Sequence, residues 1–172
     1  MIDARELRNA LGHFATGVTV VTTRGPSGEP IGVTVNSFAA LSLDPPLVLW
    51  SLAKRSWSLP AFEAASHFAI HVLASDQQAL SDRFAKAGHD KFAAIEVGQG
   101  VANVPLLQSC TAVFQCSVEH RYDGGDHVIL VGRVELLHTR SAAPLLFYRG
   151  RYATPEYEQP PATGLLKLLL AA

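Results

Sequence analysis

The chain has 172 residues, of which 48% are hydrophobic and 17% charged. That length suits one domain, and the composition excludes disorder as the main state. Fourteen basic against fifteen acidic side chains leave a formal charge of −1, which excludes a general electrostatic grip on nucleic acid.

Asp3 with Glu6 predicts a capping box, and Leu7, Ala10, Leu11 and Phe14 follow at helical spacing. A short amphipathic helix over 3–14 is predicted. Residues 17–23 are rich in valine and threonine and predict a strand. A turn cluster follows at 25–30. A second strand begins near Ile31 and a third near Ala39. Asp44-Pro45-Pro46 interrupts, and Leu47 to Leu52 predicts a buried strand.

Ser58 ahead of Leu59-Pro60 suits a helix N-cap with proline in the first turn, the helix running to about Ser66. His67 to Leu73 predicts a strand. Ser75 with Gln78 predicts a second capping box and a helix over about 76–87, with Leu80 and Phe84 inward. Residues 88–108 carry no clear period.

The clearest alternation lies at 110–121. Cys110, Ala112, Phe114, Cys116 and Val118 take one face; Thr111, Gln115, Ser117, Glu119 and Arg121 take the other. Asp123-Gly124-Gly125-Asp126 predicts a hairpin turn, with a returning strand over 127–138. A last strand covers about Leu145 to Tyr152, and Pro155, Pro160 and Pro161 loosen the tail. Strands that do not alternate with long helices argue against a doubly wound parallel sheet. The predicted class is mainly β with short α-helices, an antiparallel barrel with helices packed outside.

Cys110 and Cys116 lie too far apart along one strand to bridge, and they lack C-x-x-C spacing. Two buried thiols in a reducing compartment are expected. No basic stretch leading an apolar run opens the chain, and no apolar run approaches a membrane span. The expectation is a cytoplasmic protein away from membranes. His67 and His71 stand about 13 Å apart on one strand face, too far to share a metal, and no metal site is expected.

Glycine-rich dinucleotide and phosphate-loop fingerprints are absent, as are G-x-S-x-G and H-E-x-x-H. Four stretches remain. Thr34, Asn36 and Ser37 offer polar groups that suit a planar heterocycle, or else a strand end turning a corner. Ser51 to Ser58 places Lys54, Arg55, Ser56 and Ser58 before a helix start; they suit a phosphate monoester, or else Ser58 caps and the cations are solvated. In Leu80-Ser-Asp-Arg-Phe-Ala85, Arg83 suits the same anion and Phe84 an apolar slot, or else Phe84 is core. Gly124-Gly-Asp-His127 delivers an imidazole to a strand start.

In this order and spacing, the pieces closely resemble the flavin reductase family, the short NAD(P)H-dependent reductase components of two-component flavin monooxygenases. The matching pieces are Phe14-Ala-Thr-Gly-Val-Thr-Val-Val-Thr-Thr23, Gly32-Val-Thr-Val-Asn-Ser-Phe38, Ser42-Leu-Asp-Pro-Pro-Leu-Val-Leu49, Phe68-Ala-Ile-His-Val-Leu73, Leu80-Ser-Asp-Arg-Phe-Ala85, Gly125-Asp-His127 and Leu146-Phe-Tyr-Arg-Gly-Arg-Tyr152. They cover about residues 4–153. The resemblance implies one domain over 1–153, an FMN-binding split β-barrel of Greek-key type that forms a homodimer with flavin near the subunit interface. The tail, 154–172, packs on the dimer partner or frays.

By the same resemblance, Thr34, Asn36 and Ser37 read the flavin, with Ser51 beside its ring system. Lys54, Ser56 and Ser58 form the phosphate loop, and Ser81, Arg83 and Phe84 the second phosphate-side element. His127 positions the nicotinamide, and Tyr148 and Arg151 lie near the active site. Trp57, inside the phosphate loop, departs from the pattern. The implied cofactors are FMN or FAD with NADH or NADPH. The implied partner is a monooxygenase served by diffusible reduced flavin. Two further readings stay open: a bound flavin that reduces another acceptor such as a ferric chelate or corrinoid, and a flavin-binding module without turnover.

Overall fold

The computed structural model describes residues 2–88 and 90–156. The tail run Leu165 to Leu170 lies outside the described residues. In chain order the elements are α1 (Ala4–Leu11), β1 (Thr16–Gly17), β2 (Thr19–Arg24), β3 (Pro30–Val35), β4 (Ala39–Leu43), β5 (Pro46–Ala53), α2 (Leu59–Ala64), β6 (His67–Val72) and α3 (Gln78–Ala85). They continue with a 3-10 turn (Asp90–Phe92), β7 (Val97–Gln99), β8 (Pro105–Leu107), β9 (Ala112–Gly124), β10 (His127–Thr139), β11 (Leu146–Tyr148) and β12 (Arg151–Ala153).

The main sheet has seven strands in the order β3-β2-β6-β9-β10-β5-β4, every neighbouring pair antiparallel. It is an open sheet, consistent with a split barrel. Its two outer arms meet just past β3, where the Ser37 hydroxyl donates to the Ser51 carbonyl and accepts from the Ser51 N–H, both at 3.0 Å. The β9–β10 hairpin turns through Gly125-Asp126, with Gly125 at φ +75° and His127 opposite Gly124. Glycine supplies that positive φ without steric cost.

Two apolar clusters flank the sheet. Trp50, Phe62, Phe68 and Leu130 centre the first, where the Phe62 and Phe68 rings stand edge-on to Trp50 at 4.9 and 5.8 Å. Val18, Val20, Leu73, Phe84, Leu107 and Leu145 form the second. Adjacent residues of β2 divide between them, Val20 to the second and Val21 to the first, as period-two strand geometry requires.

Several expectations are corrected. The first helix ends at Leu11 rather than Phe14: the N–H groups of His13 and Phe14 reach back three residues to Ala10 and Leu11, and the chain leaves the helix. Its start is as expected, with Asp3 Oδ1 accepting from the N–H groups of Arg5 and Glu6. The first strand breaks at Val18, whose N–H donates to the Leu145 carbonyl. Ser58 makes no side-chain cap; it is buried in helical conformation and its N–H donates to Ser56 Oγ at 3.3 Å. The third helix starts at Gln78, and Gln77 rather than Ser75 ties its entry, accepting from the Ala74 N–H.

Residues 88–108 contain a small paired unit, β7 with β8. That unit and the loop beside it bury Gln115, expected on the solvent face; its Oε1 accepts from the Val101 N–H at 2.8 Å. Cys110 precedes the strand and joins the second cluster, while Cys116 joins the first, so they do not share a face. Both are buried, and burial pushes their thiols up to about 11 and about 12. The strand expected over 145–152 is two, because Arg149 (φ 47°) and Gly150 (φ 80°) make a tight left-handed turn. Among the described residues, no helix is long and apolar enough to cross a membrane.

Candidate functional site

Where β5 ends, the chain runs Ala53 to Ser58 beside the β9–β10 hairpin. The Lys54 N–H donates to the Asp126 carbonyl at 2.9 Å, and Ala53 pairs with His127 across β5–β10. The expected phosphate loop and the expected nicotinamide histidine are thus sequence-remote neighbours. His127 Nδ1 lies 2.6 Å from Asp126 Oδ1, and that bond holds the Asp126 carboxyl below the usual carboxylate range. The carboxylate accepts the Nδ1–H, so Nε2 is the acceptor of the neutral ring.

A cleft of about 280 Å³ opens on the other side of this loop. Arg55, Ser56 and Ser58 line one wall, and Lys86 and Lys91 line the other. All its titratable lining groups are cationic, and two hydroxyls stand among them. That donor set fits a phosphate and would repel nothing on it. Trp57, the residue that departs from the pattern, also lines the cleft.

The other expected residues occupy neighbouring structural bonds. Lys54 turns away from the cleft and pairs with Asp123 on the hairpin. The Thr34 hydroxyl donates to the Ser81 carbonyl at 2.7 Å, which ties β3 to α3. The Tyr152 hydroxyl donates to Asp82 Oδ1 at 2.9 Å. Its one proton is then engaged, so it accepts from Ser81 Oγ at 2.8 Å. Arg83 donates to the Ala93 carbonyl at 2.8 Å rather than pointing to the cleft. Phe84 is wholly buried, against Phe92 at 4.9 Å, so it is core and not the wall of an open slot.

Asn36 lines a separate cavity of about 640 Å³ between α1 and the β11–β12 hairpin, with Arg8, His13, Phe14 and Arg149. Tyr148 and Arg151 pair with each other on that hairpin and are exposed. The structure therefore joins Ser56 and Ser58 in one cleft, Ser37 to Ser51 at the sheet closure, and Thr34 to Ser81. It leaves Lys54, Arg83 and Phe84 outside the cleft.

Sequence reasoning missed Lys91, Lys86 and the role of Tyr152. Lys91 is nearly buried, and its amine donates to the Gly32 and Phe84 carbonyls at 3.0 and 2.9 Å. It lies in the stretch without periodicity, so no spacing pointed to it. The Tyr152 bond joins residues about seventy apart in sequence, which a local pattern does not register.

Comparison with known proteins bears on this site. The family described as "Flavin reductase like domain" matches residues 11–156. The chain is 50% identical over 150 residues to the FMN reductase (NADH) SmoA of Agrobacterium fabrum, covering 87% of this chain and 85% of that protein. It is 44% identical over 168 residues to the reductase component of the flavin-dependent trigonelline monooxygenase of Acinetobacter baylyi, covering 98% of this chain and 54% of that protein. The chain thus spans about half the length of that second relative. The solved structure of the NADH:FAD oxidoreductase SgcE6 of Streptomyces globisporus, in complex with NAD and FAD fragments, superposes with a TM-score of 0.83 at 34% identity. It covers 95% of this chain and 99% of that one. An open antiparallel sheet, a cationic serine-lined cleft and a family match across most of the chain agree: this protein belongs to the flavin reductase family.

Proposed function

We propose that this chain is an NAD(P)H-dependent flavin reductase that passes a hydride from a reduced nicotinamide to FMN or FAD and supplies a partner monooxygenase. The observation that carries the reading is the cleft, with two hydroxyls and three cations on and beside the loop that starts against His127. Ser56, Ser58 and Arg55 would hold the flavin's phosphate there. When bound, the flavin supplies the hydride-accepting chemistry.

The protein's own work is positioning. The mutual Ser37–Ser51 bonds fix the sheet closure next to that loop. Asp126 fixes the His127 tautomer, which would leave Nε2 to accept from the carboxamide N–H of a bound nicotinamide. His127 thus orients the nicotinamide and moves no proton. His127→Ala is expected to raise the nicotinamide KM about 2- to 10-fold, the worth of one hydrogen bond, while flavin affinity changes less. Steady-state kinetics beside a flavin binding titration measures both. A loss of flavin affinity at constant nicotinamide KM contradicts the assignment.

The reading also includes a homodimer. α1 buries none of its residues, and Leu11 and Phe14 are 65% and 77% exposed, with Leu41, Leu43, Leu136 and Leu137 also open. So many large apolar side chains on one small chain suit burial against a second copy.

The test of function is nicotinamide oxidation, followed by near-ultraviolet absorption, with NADH or NADPH and with FMN, FAD or riboflavin added in turn. Oxidation that rises and saturates with added flavin is the expected result. Absence of turnover with every flavin contradicts the proposal.

A further inference from the structure

Lys91 is the unusual residue of the cleft. It rides on the 3-10 turn Asp90–Phe92, and Phe92 pins that turn with its ring edge-on to Phe84. The side chain is 9% exposed. An ammonium carries three N–H donors, and the Gly32 and Phe84 carbonyls take two of them. Among the described residues no carboxylate forms an ion pair with it. Burial pushes its amine below the ordinary lysine range. A buried cation without a counter-ion is costly, and an arriving anion removes that cost.

The same amine borders the cleft, opposite Arg55, Ser56 and Ser58. Two carbonyls and a pinned turn hold it in place before any ligand arrives. Little side-chain entropy is lost when it binds, unlike the exposed Arg55 and Lys86. We infer that Lys91 presents its third N–H to the flavin's phosphate and is the pre-positioned cation that makes the cleft prefer a phosphorylated flavin to riboflavin. This rests on the cleft being the phosphate site proposed above. It also assigns to Lys91 the task that sequence pattern offered to Lys54, which is paired with Asp123.

The test is a fluorescence titration of the whole chain with FMN and with riboflavin, for wild type, Lys91→Met and Lys91→Gln. Glutamine keeps two N–H donors for the Gly32 and Phe84 carbonyls but carries no charge. Wild type should prefer FMN. Both variants should lose about 10- to 100-fold in FMN affinity, the range for one hydrogen bond to a charged group, with riboflavin affinity nearly unchanged. A wild type without preference for FMN overturns the phosphate site and the inference together. A preference retained in both variants overturns the Lys91 assignment alone. Equal losses for the two ligands make Lys91 a purely structural tie and also overturn it. Should both variants fail to fold, lysine acylation of wild type read by mass spectrometry decides: FMN, and not riboflavin, should shield Lys91, and equal labelling with both refutes the role.

Discussion

Replacing Phe84 by alanine is expected to lower the unfolding free energy of the flavin-free protein by about 3–5 kcal/mol. The ring is wholly buried in the second cluster. It lies so close to β3 that a Cβ on Gly32 would stand 2.5 Å from it. Phe92 closes the other side edge-on. Removing the ring deletes its transfer free energy and leaves a cavity between a strand and a helix that the Thr34–Ser81 bond keeps in register. Urea unfolding without flavin measures the loss. Near-normal stability with a large drop in flavin affinity would instead make Phe84 a wall of the flavin site.

Acid should weaken the fold through His71 from about pH 6.5 downward. His71 is fully buried; its Nδ1 donates to the Val20 carbonyl at 3.0 Å and its Nε2 accepts from the Leu107 N–H at 3.1 Å. Desolvation lowers its pKa from the ordinary 6.5 to about 4, opposed in part by the Val20 bond. A proton on Nε2 would also face the Leu107 N–H donor to donor. Between those two values the unfolded chain binds a proton that the folded chain refuses. The contribution is therefore complete above pH 6.5 and is lost as pH falls to about 4. The total is roughly 3 kcal/mol. Urea midpoints measured from pH 7 downward, for wild type and His71→Gln, test this. The variant starts less stable, since it loses packing and bond geometry, but its stability should fall less over that interval. Parallel pH dependences contradict the assignment.

What was legible in the sequence was local. Asp3 caps α1 because its carboxylate reaches N–H groups two and three residues on. Gly125-Asp126 turns the long hairpin because glycine is placed where φ is positive. The Ala53–Ser58 loop carried its serines in plain view, and two of them do line the cleft. What was not legible depends on distant chain. Gln115 fits the polar face of an alternating strand, but the β7–β8 unit covers it. Arg149 takes a left-handed conformation that its own residue type does not favour, so one expected strand is two. Lys91 becomes a buried cation only because β3 and α3 bring two carbonyls to it. Lys54 reads as a phosphate ligand until Asp123 arrives across the hairpin.

In the proposed function, hydride reaches a flavin that then leaves the protein. Its most direct test is anaerobic: a trace of protein, excess FMN and excess NADH or NADPH, with the visible absorption of oxidised flavin followed over time. The whole FMN pool is expected to bleach, many equivalents per chain, at a rate proportional to protein. Bleaching that stops at one equivalent per chain, or that does not exceed the protein-free rate with either nicotinamide, would contradict it.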